Sequence, residues 1–205
     1  MKIAKINYAS FGEGPRQNTT IWVSGCSIRC PGCFNPHLWE FTYGVDFIVE
    51  ELVDLLKQGI PCGDTGIAVV GGEPFDQVEE LNELLLHVKQ YLPLHKITVY
   101  SGYIFENLLK DKNRPLKHID YLVDGPFIIK EKLTGGYRGS SNQRVIDVQD
   151  SLLLGVTKTL DWDNLVVVTK NTIVTPIFMS LEGGSGANQC GFDNKLDPFI
   201  RDSKC

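Results

Sequence analysis

Three cysteines close together in the sequence constrain this chain more than any other feature. Cys26, Cys30 and Cys33 follow the spacing C-x3-C-x2-C. Pro31 and Gly32 between them supply the turn that lets the three sulfur atoms point to one side of a loop. Three thiolates on one loop can bind three iron atoms of a cubane 4Fe-4S cluster, whereas electron carriers usually have four cysteine ligands. The spacing therefore predicts a cluster with one open iron, at which a small molecule can bind.

A structural zinc site is the alternative explanation for the three clustered thiols. Such a site requires four protein ligands, and no convincing fourth ligand lies close to the cysteines in the sequence. His37 is the nearest histidine, but it has no partner histidine at ligand spacing. The other three cysteines, Cys62, Cys190 and Cys205, are scattered along the chain. We therefore do not expect a second cluster.

The composition is that of an ordinary globular protein with a mild negative charge. The 205 residues are 42% hydrophobic and 22% charged, and the formal net charge is -5. This balance disfavours nucleic acid as a partner, and no run approaches the ~20 apolar residues of a membrane span. The first residues lack the apolar stretch of a signal peptide, so we expect a cytoplasmic protein. Thiols stay reduced in that compartment, and clustered cysteines there indicate metal binding.

Strand and helix patterns alternate along most of the chain. Short apolar or alternating runs predict strands at 2–9, 19–24, 66–70, 96–100, 119–123 and 145–148, with further strands at 165–169 and 173–179. Amphipathic spacing predicts helices at 46–57, 76–92 and 104–110, with Asp46 as the first N-cap and Gly59 as the first stop. The order strand, loop, helix recurs at least three times. This order predicts an α/β fold on a parallel sheet with right-handed crossovers.

Four unusual loops each follow a predicted strand. They are the cysteine loop and the segments Gly-Gly-Glu-Pro at 71–74, Ser-Gly-Tyr at 101–103 and Asp-Gly-Pro-Phe at 124–127. Because functional loops lie at the carboxyl ends of parallel strands, we expect these four to meet at one rim and form an active site. Two glycines in the second loop let the backbone approach a ligand closely. A simple strand-to-helix turn is the alternative explanation for them.

The cysteine loop followed by a Gly-Gly-Glu-Pro strand end resembles the radical S-adenosylmethionine superfamily. Further segments narrow the resemblance: Cys33-Phe34-Asn35 followed by Trp39, and the segments at 101–103, 122–127 and 138–144. Together they resemble the activating proteins of anaerobic ribonucleoside-triphosphate reductase. The resemblance covers roughly residues 1–148. The last two segments are those that specify the subfamily.

The resemblance implies an oxidoreductase with one 4Fe-4S cluster and S-adenosyl-L-methionine. The amino and carboxylate groups of that molecule would chelate the open iron. An electron from the reduced cluster would cleave the sulfonium and give a 5′-deoxyadenosyl radical, which takes a hydrogen from one glycine of the large reductase subunit. The implied partners are that subunit and an external electron donor such as a reduced flavodoxin. The cofactor performs the difficult chemistry, so no catalytic residue is expected beyond the cluster and S-adenosylmethionine.

The resemblance also assigns roles to individual residues. The metal ligands are Cys26, Cys30 and Cys33. The cofactor-binding residues are Gly32, Phe34, Asn35, Gly71, Gly72, Glu73 and Ser101. Weaker candidates for contact with the cofactor or the partner protein are Tyr103, Asp124, Arg138 and Asn142. Gly32 departs from the superfamily, which usually has a bulky apolar residue before the third cysteine.

The expected architecture is an incomplete (β/α) barrel with helices outside the parallel sheet. Its open side would admit a loop of another protein. We expect one domain over residues 1–180 and a Gly-rich, flexible tail over 181–205. Two other functions stay open: a small radical S-adenosylmethionine enzyme acting on a peptide or purine-like precursor, and a non-enzymatic iron–sulfur electron-transfer module.

Overall fold

The computed structural model describes residues 1–60, 65–111 and 113–164, together with the backbone of 167–169 and 172–174. Cys62, Cys190, Cys205 and the proposed tail at 181–205 therefore lie outside the described residues, and so does the end of the strand predicted at 173–179. Within the described part, the fold is a mixed α/β structure with one main sheet. No described helix has both the length and the apolar character needed to cross a membrane.

Eight strands form the main sheet. Their bounds are β1 (Lys2–Ser10), β2 (Asn18–Val23), β3 (Val45–Asp46), β4 (Gly66–Gly71), β5 (Lys96–Tyr100), β6 (Tyr121–Asp124), β7 (Arg144–Asp147) and β8 (Lys158–Leu160). The strand order is β3-β1-β2-β4-β5-β6-β7-β8. Two further strands, β9 (Val167–Thr169) and β10 (Thr172–Val174), pair with each other in antiparallel fashion. Every predicted strand thus has an observed counterpart, and within the described residues its ends differ from the prediction by a few residues at most.

The sheet is parallel in its centre and antiparallel at both edges. The four central strands β2, β4, β5 and β6 run parallel to one another. By contrast, β1 pairs antiparallel with both β2 and β3, and β7 pairs antiparallel with both β6 and β8. The expectation of a parallel sheet is therefore correct only for the four central strands. The edges differ because no crossover helix separates β1 from β2 or β6 from β7, and a parallel pair requires such a crossover.

Four α-helices accompany the strands: α1 (Val49–Gly59), α2 (Val78–Tyr91), α3 (Phe105–Leu108) and α4 (Val148–Leu154). The predicted N-cap of the first helix is wrong, because Asp46 belongs to β3 and the helix begins three residues later. Asp46 instead accepts a 2.6 Å hydrogen bond from Lys2 Nζ. The predicted end at Gly59 is confirmed. A side chain at that glycine would overlap the ring of Tyr8.

The helices cover one face of the central sheet. The residues of that face form one fully buried row across five strands: Ile21, Val69, Val99, Leu122 and Ile146. Leucines of α1 and α2 pack in the same core: Leu52, Leu56, Leu81, Leu84 and Leu85. Because successive strand residues point to opposite faces, the next residues along the strands, Trp22, Val70 and Tyr100, lie on the other face, where they line a cavity.

Candidate functional site

The cysteine loop begins directly after β2 and is anchored by backbone hydrogen bonds. The Gly25 N–H donates to Leu38 O at 2.8 Å, and the Cys26 N–H donates to Trp39 O at 3.0 Å. Gly25 has a φ of +94°, and a Cβ at this position would overlap the ring of Phe41. Only glycine satisfies both constraints without strain. The loop therefore leaves the strand along a single defined path.

All three cysteines of the loop are free thiols at one end of the cavity. Cys26 is buried, and Cys30 and Cys33 are partly exposed. Burial raises the pKa of the Cys26 and Cys30 thiols, so a bound metal would be needed to favour their thiolate forms. Among the described residues, no three His, Cys, Asp or Glu side chains are grouped around one point that could hold a single metal ion. The ligands of a cubane cluster bind separate iron atoms, so they need no such common point.

The Gly71–Glu73 segment lies against the start of the cysteine loop. The Gly72 N–H donates to Val23 O at 2.8 Å, and the Glu73 N–H donates to Gly25 O at 2.8 Å. A Cβ on Gly71, whose φ is +111°, would overlap the Val23 carbonyl oxygen, and a Cβ on Gly72 would overlap that of Gly25. The two glycines are thus required for the close approach of two neighbouring strand ends.

The carboxylate of Glu73 is buried and fully engaged with protein donors. Its Oε1 accepts hydrogen bonds from the Phe75 N–H at 3.0 Å and the Ser101 hydroxyl at 2.9 Å. Its Oε2 accepts one from the Gly102 N–H at 2.8 Å. Burial raises the pKa of this carboxyl to about 7. Glu73 therefore joins the end of β4 to the end of β5 and helps to fix the rim of the cavity.

A second polar network holds the cysteine loop from its outer side. The Tyr103 hydroxyl donates to Asp76 Oδ1 at 2.8 Å and lies 3.2 Å from the Ser27 hydroxyl. The Ser27 N–H donates to Asp76 Oδ2 at 2.6 Å. Asp76 lies in a short 3-10 helix, Pro74–Gln77, directly after the Gly-Gly-Glu segment. Two of the four predicted loops are therefore tied to the cysteine loop by the same carboxylate.

The loops enclose a cavity of about 440 Å³ on the sheet face opposite the helices. Most of the predicted site residues line it: Cys26, Cys30, Cys33, Phe34, Asn35, Gly71, Gly72, Glu73, Ser101 and Arg138. The expectation that loops at the carboxyl ends of the central strands meet at one rim is confirmed, because Gly125 and Phe127 also line the cavity. The volume is within the roughly 300–1,000 Å³ typical of small-molecule sites.

Four predicted site residues lie outside the cavity lining. Gly32, with a φ of +78°, faces the side chain of Ile129. Tyr103 belongs to the network on the outer side of the cysteine loop. Asp124 is buried and accepts hydrogen bonds from Arg144 and from the Phe105 N–H. The Asn142 amide group donates to Pro126 O at 2.8 Å.

Several residues that the sequence analysis did not single out also line the cavity. They are Glu13, Trp22, Tyr100, Tyr137 and Gln143, among others. The aromatic residues of β2 and β5 could have been found from strand alternation, because they occupy the positions next to the helix-facing core residues. Glu13, Tyr137 and Gln143 lie in connections between strands. Gln143 belongs to the segment 138–144 that contributes to the family resemblance, whereas no local pattern indicates the positions of Glu13 and Tyr137.

Sequence comparisons identify the family of this chain. A family described as a 4Fe-4S single cluster domain matches residues 11–146, which is more than half of the chain. An anaerobic ribonucleoside-triphosphate reductase-activating protein of Haemophilus influenzae is 36% identical over 138 residues, 64% of this chain and 87% of the relative. Proteins of the same name from Escherichia coli (strain K12) and Enterobacteria phage T4 also match. The first is 32% identical over 65% of this chain and 90% of the relative. The second is 29% identical over 71% of this chain and 93% of the relative. The chain therefore belongs to the family of anaerobic ribonucleoside-triphosphate reductase-activating proteins.

Proposed function

We propose that this chain is a radical S-adenosylmethionine activase that generates a glycyl radical on the large subunit of an anaerobic ribonucleoside-triphosphate reductase. The observation that carries the proposal is the placement of three free thiols at one end of a cavity whose rim is formed by the ends of four parallel strands. The names of the relatives support a reductase as the target. The match to a 4Fe-4S domain supports the cluster.

The donor set of the cavity fits a cluster with an open iron. Cys26, Cys30 and Cys33 supply the thiolates that iron–sulfur clusters prefer. Among the described residues that line the cavity, there is neither a histidine nor a fourth cysteine. When bound, the reduced cluster supplies the electron that splits S-adenosylmethionine into methionine and the 5′-deoxyadenosyl radical. We assign the three cysteines as cluster ligands on this basis.

The remaining cavity residues would bind and shield S-adenosylmethionine. Gly71, Gly72 and Glu73 bring polar backbone close to Cys26, where the methionine part would lie. Phe34, Trp22 and Tyr100 provide apolar walls that exclude water, which would otherwise react with a radical. Since Glu73 is already bonded to three protein donors, we assign it the role of shaping the rim rather than that of a base.

The architecture also bears on how a protein substrate reaches the cavity. β3 and β8 are the two edge strands of the main sheet and do not pair with each other in the described residues. We propose an incomplete barrel that is open between these edges, so that a loop of the reductase can enter. A reduced flavodoxin as electron donor stays a prediction from the family resemblance.

Anaerobic reconstitution tests the chemistry directly. The protein is loaded with iron and sulfide, reduced with dithionite and assayed for 5′-deoxyadenosine formed from S-adenosylmethionine. We expect product from the wild type and a loss of at least about a hundredfold in Cys30→Ala, because a cluster held by two ligands is not retained. Cys62→Ala is the matched control, as it removes a thiol outside the predicted triad.

The protein target is tested in the same preparation. Addition of the large reductase subunit should give a glycyl radical signal by electron paramagnetic resonance. Product formation without this signal would favour a peptide or purine-like substrate. A reduced cluster that never cleaves S-adenosylmethionine, even with the reductase present, would favour the electron-transfer module.

A further inference from the structure

A segment beyond the matched family domain packs against the cavity wall. The family match ends at residue 146, and the chain continues through α4 and β8 to Trp162 and Asp163. Trp162 is 4% exposed and makes edge-to-face contacts with Tyr121 and Tyr137, with ring centroids 5.2 and 5.9 Å apart. Tyr137 belongs to the connection between β6 and β7 that lines the cavity. The later segment is therefore part of the support of this wall.

The carboxylate of Asp163 binds the same connection at two places. Its Oδ1 accepts a hydrogen bond from the Tyr137 N–H at 3.2 Å. Its Oδ2 accepts from Arg138, at 2.9 Å from Nε and 2.5 Å from Nη2. Gly136, whose φ is +88°, comes so close that a Cβ there would overlap Asp163 Oδ1. One carboxylate thus binds both the backbone of Tyr137 and the side chain of Arg138.

A third contact holds the wall from the sheet. The Tyr100 hydroxyl donates to the Tyr137 carbonyl oxygen at 2.7 Å. Tyr137 therefore has its N–H bound by Asp163, its C=O bound by β5 and its ring against Trp162. Because one residue is held at three points by two distant parts of the chain, removal of one point should loosen the wall without unfolding the sheet.

The pairing of Arg138 also affects the charge of the cavity. Arg138 lines the cavity, and Asp163 is the carboxylate that pairs with it. The Arg138 guanidinium also donates hydrogen bonds to the carbonyl oxygens of Ser141 and Gln143. S-adenosylmethionine carries a sulfonium and an ammonium against a single carboxylate, so its net charge is positive. An unpaired guanidinium in the wall would repel such a ligand, most strongly where the cavity is shielded from water.

We propose that Asp163 and Trp162 are positioning residues for the cavity wall at 134–138, and that this segment outside the matched domain sets the affinity for a cationic sulfonium ligand. The wall part of this inference rests on the contacts alone. The affinity part rests on the proposed function, because it takes S-adenosylmethionine as the ligand. The residues act through Tyr137 and Arg138 and need not touch the ligand themselves.

The test compares Asp163→Asn with Asp161→Asn in the anaerobically reconstituted protein. Asp161 is a control for the loss of a nearby negative charge without the loss of a bond to the wall, because it is exposed, its side chain bonds to Asn164 in the same turn, and it lies within electrostatic range of Arg138. We expect the dissociation constant of S-adenosylmethionine to rise about tenfold in Asp163→Asn, the size of a lost charged hydrogen bond. The rate of 5′-deoxyadenosine formation at saturating S-adenosylmethionine should change by less than about twofold, since the cluster ligands are untouched.

Hydrogen exchange reports on the wall without any ligand. The Tyr137 amide should exchange about tenfold faster in Asp163→Asn than in the wild type or in Asp161→Asn, while amides of the central strands keep their protection. Trp162→Phe, which keeps an aromatic ring but removes part of its contact area, should accelerate the same amide.

The possible failures are distinguishable. Unchanged exchange at Tyr137 in both variants would overturn the positioning role. Faster exchange with an unchanged dissociation constant would overturn the link to affinity. Absence of S-adenosylmethionine binding in the wild type would overturn the proposed function and the affinity part with it, whereas the exchange measurement would still decide whether Asp163 holds the wall.

Discussion

Glu73 shows how a residue that is expected to bind a ligand can serve mainly to build the site. Its side chain is 1% exposed and accepts three hydrogen bonds from the protein. These bonds connect the end of β4 to Ser101 and Gly102 at the end of β5. A carboxylate in this place lets two strand ends with unpaired N–H groups meet without leaving a donor unsatisfied. The Glu73 carboxylate therefore adds to the backbone hydrogen bonds that hold the rim of the cavity.

The pKa of Glu73 predicts a pH dependence of stability. Burial raises the pKa to about 7 from an ordinary 4.5, so the folded protein holds this proton more tightly than the unfolded chain does. The stabilisation is fully present below about pH 4.5 and is lost as the pH rises through about 7. It amounts to about 3 kcal/mol in the free energy of unfolding. Glu73→Gln should remove this part of the pH dependence.

Urea unfolding of the cluster-free protein at pH 4.5 and 8 measures the effect. The decrease in stability between these two pH values should be about 3 kcal/mol larger in the wild type than in Glu73→Gln. Glu83→Gln, on the exposed side of α2, should behave as the wild type. Equal pH profiles for Glu73→Gln and the wild type would show that the proton is not bound at Glu73.

At the scale of elements, Asp120 joins α2 to the central sheet. Its carboxylate is buried and accepts hydrogen bonds from Lys89 Nζ at 2.6 Å, Lys96 Nζ at 2.9 Å and the Ile97 N–H at 2.9 Å. Burial by itself would raise the pKa of Asp120, but the three donors lower it overall. The stabilisation is therefore present above the ordinary pKa of 3.8 and is lost as the pH falls through the lower folded value.

Asp120→Asn should lower the free energy of unfolding at pH 7 by about 2 kcal/mol, because hydrogen bonds to a charged group are lost and the lysines lose their partner. The difference from the wild type should shrink as the pH falls through the lowered pKa of Asp120, because the wild-type carboxyl then also becomes protonated. Chemical unfolding over a series of acidic pH values tests this. Asp54→Asn is the control, since its pair with Lys57 is exposed and should contribute little.

At the scale of the whole molecule, Arg144 connects three elements that are far apart in the sequence. Its guanidinium lies 2.5 Å from Asp124 Oδ2 on β6 and 2.8 Å from Glu106 Oε2 on α3. Hydrogen bonds from Arg144 lower the pKa of Glu106 to about 2. Asp124 is 1% exposed, so its contact with Arg144 lies in the interior of the protein. The antiparallel strand β7 is thereby fixed to the parallel centre of the sheet by an ion pair as well as by its backbone hydrogen bonds to β6.

Arg144→Met should destabilise the protein by about 3 kcal/mol, because it leaves the buried carboxylate of Asp124 without its partner. Thermal and urea unfolding at neutral pH measure the loss. Lys158→Met, which removes an exposed pair with Asp150, should cost much less than Arg144→Met does. A similar small loss for both variants would mean that the pair between Arg144 and Asp124 does not stabilise the fold.

Much of this organisation could be predicted from local sequence, but the edges of the sheet could not. The cysteine spacing, the strand at Lys96–Tyr100 and the helix end at Gly59 were all readable from short patterns. Asp46 was misassigned as a cap because its actual partner, Lys2, lies 44 residues away. The antiparallel direction of β7 was equally hidden, since strand direction depends on the path of the connection and not on the composition of the strand.

The sequence by itself determined the spacing of the three cysteines, the alternation of strands and helices, and the strand ends that meet at the cavity. These features are local: ligand spacing, hydrophobic period and backbone freedom at glycine act over a few residues. Tertiary structure alone decided that Gly71 and Gly72 approach the cysteine loop, that Glu73 and Asp76 serve as acceptors for neighbouring loops, and that Asp163 supports the cavity wall. Such roles depend on which distant donor meets which acceptor, and only the completed packing of the chain defines those distances.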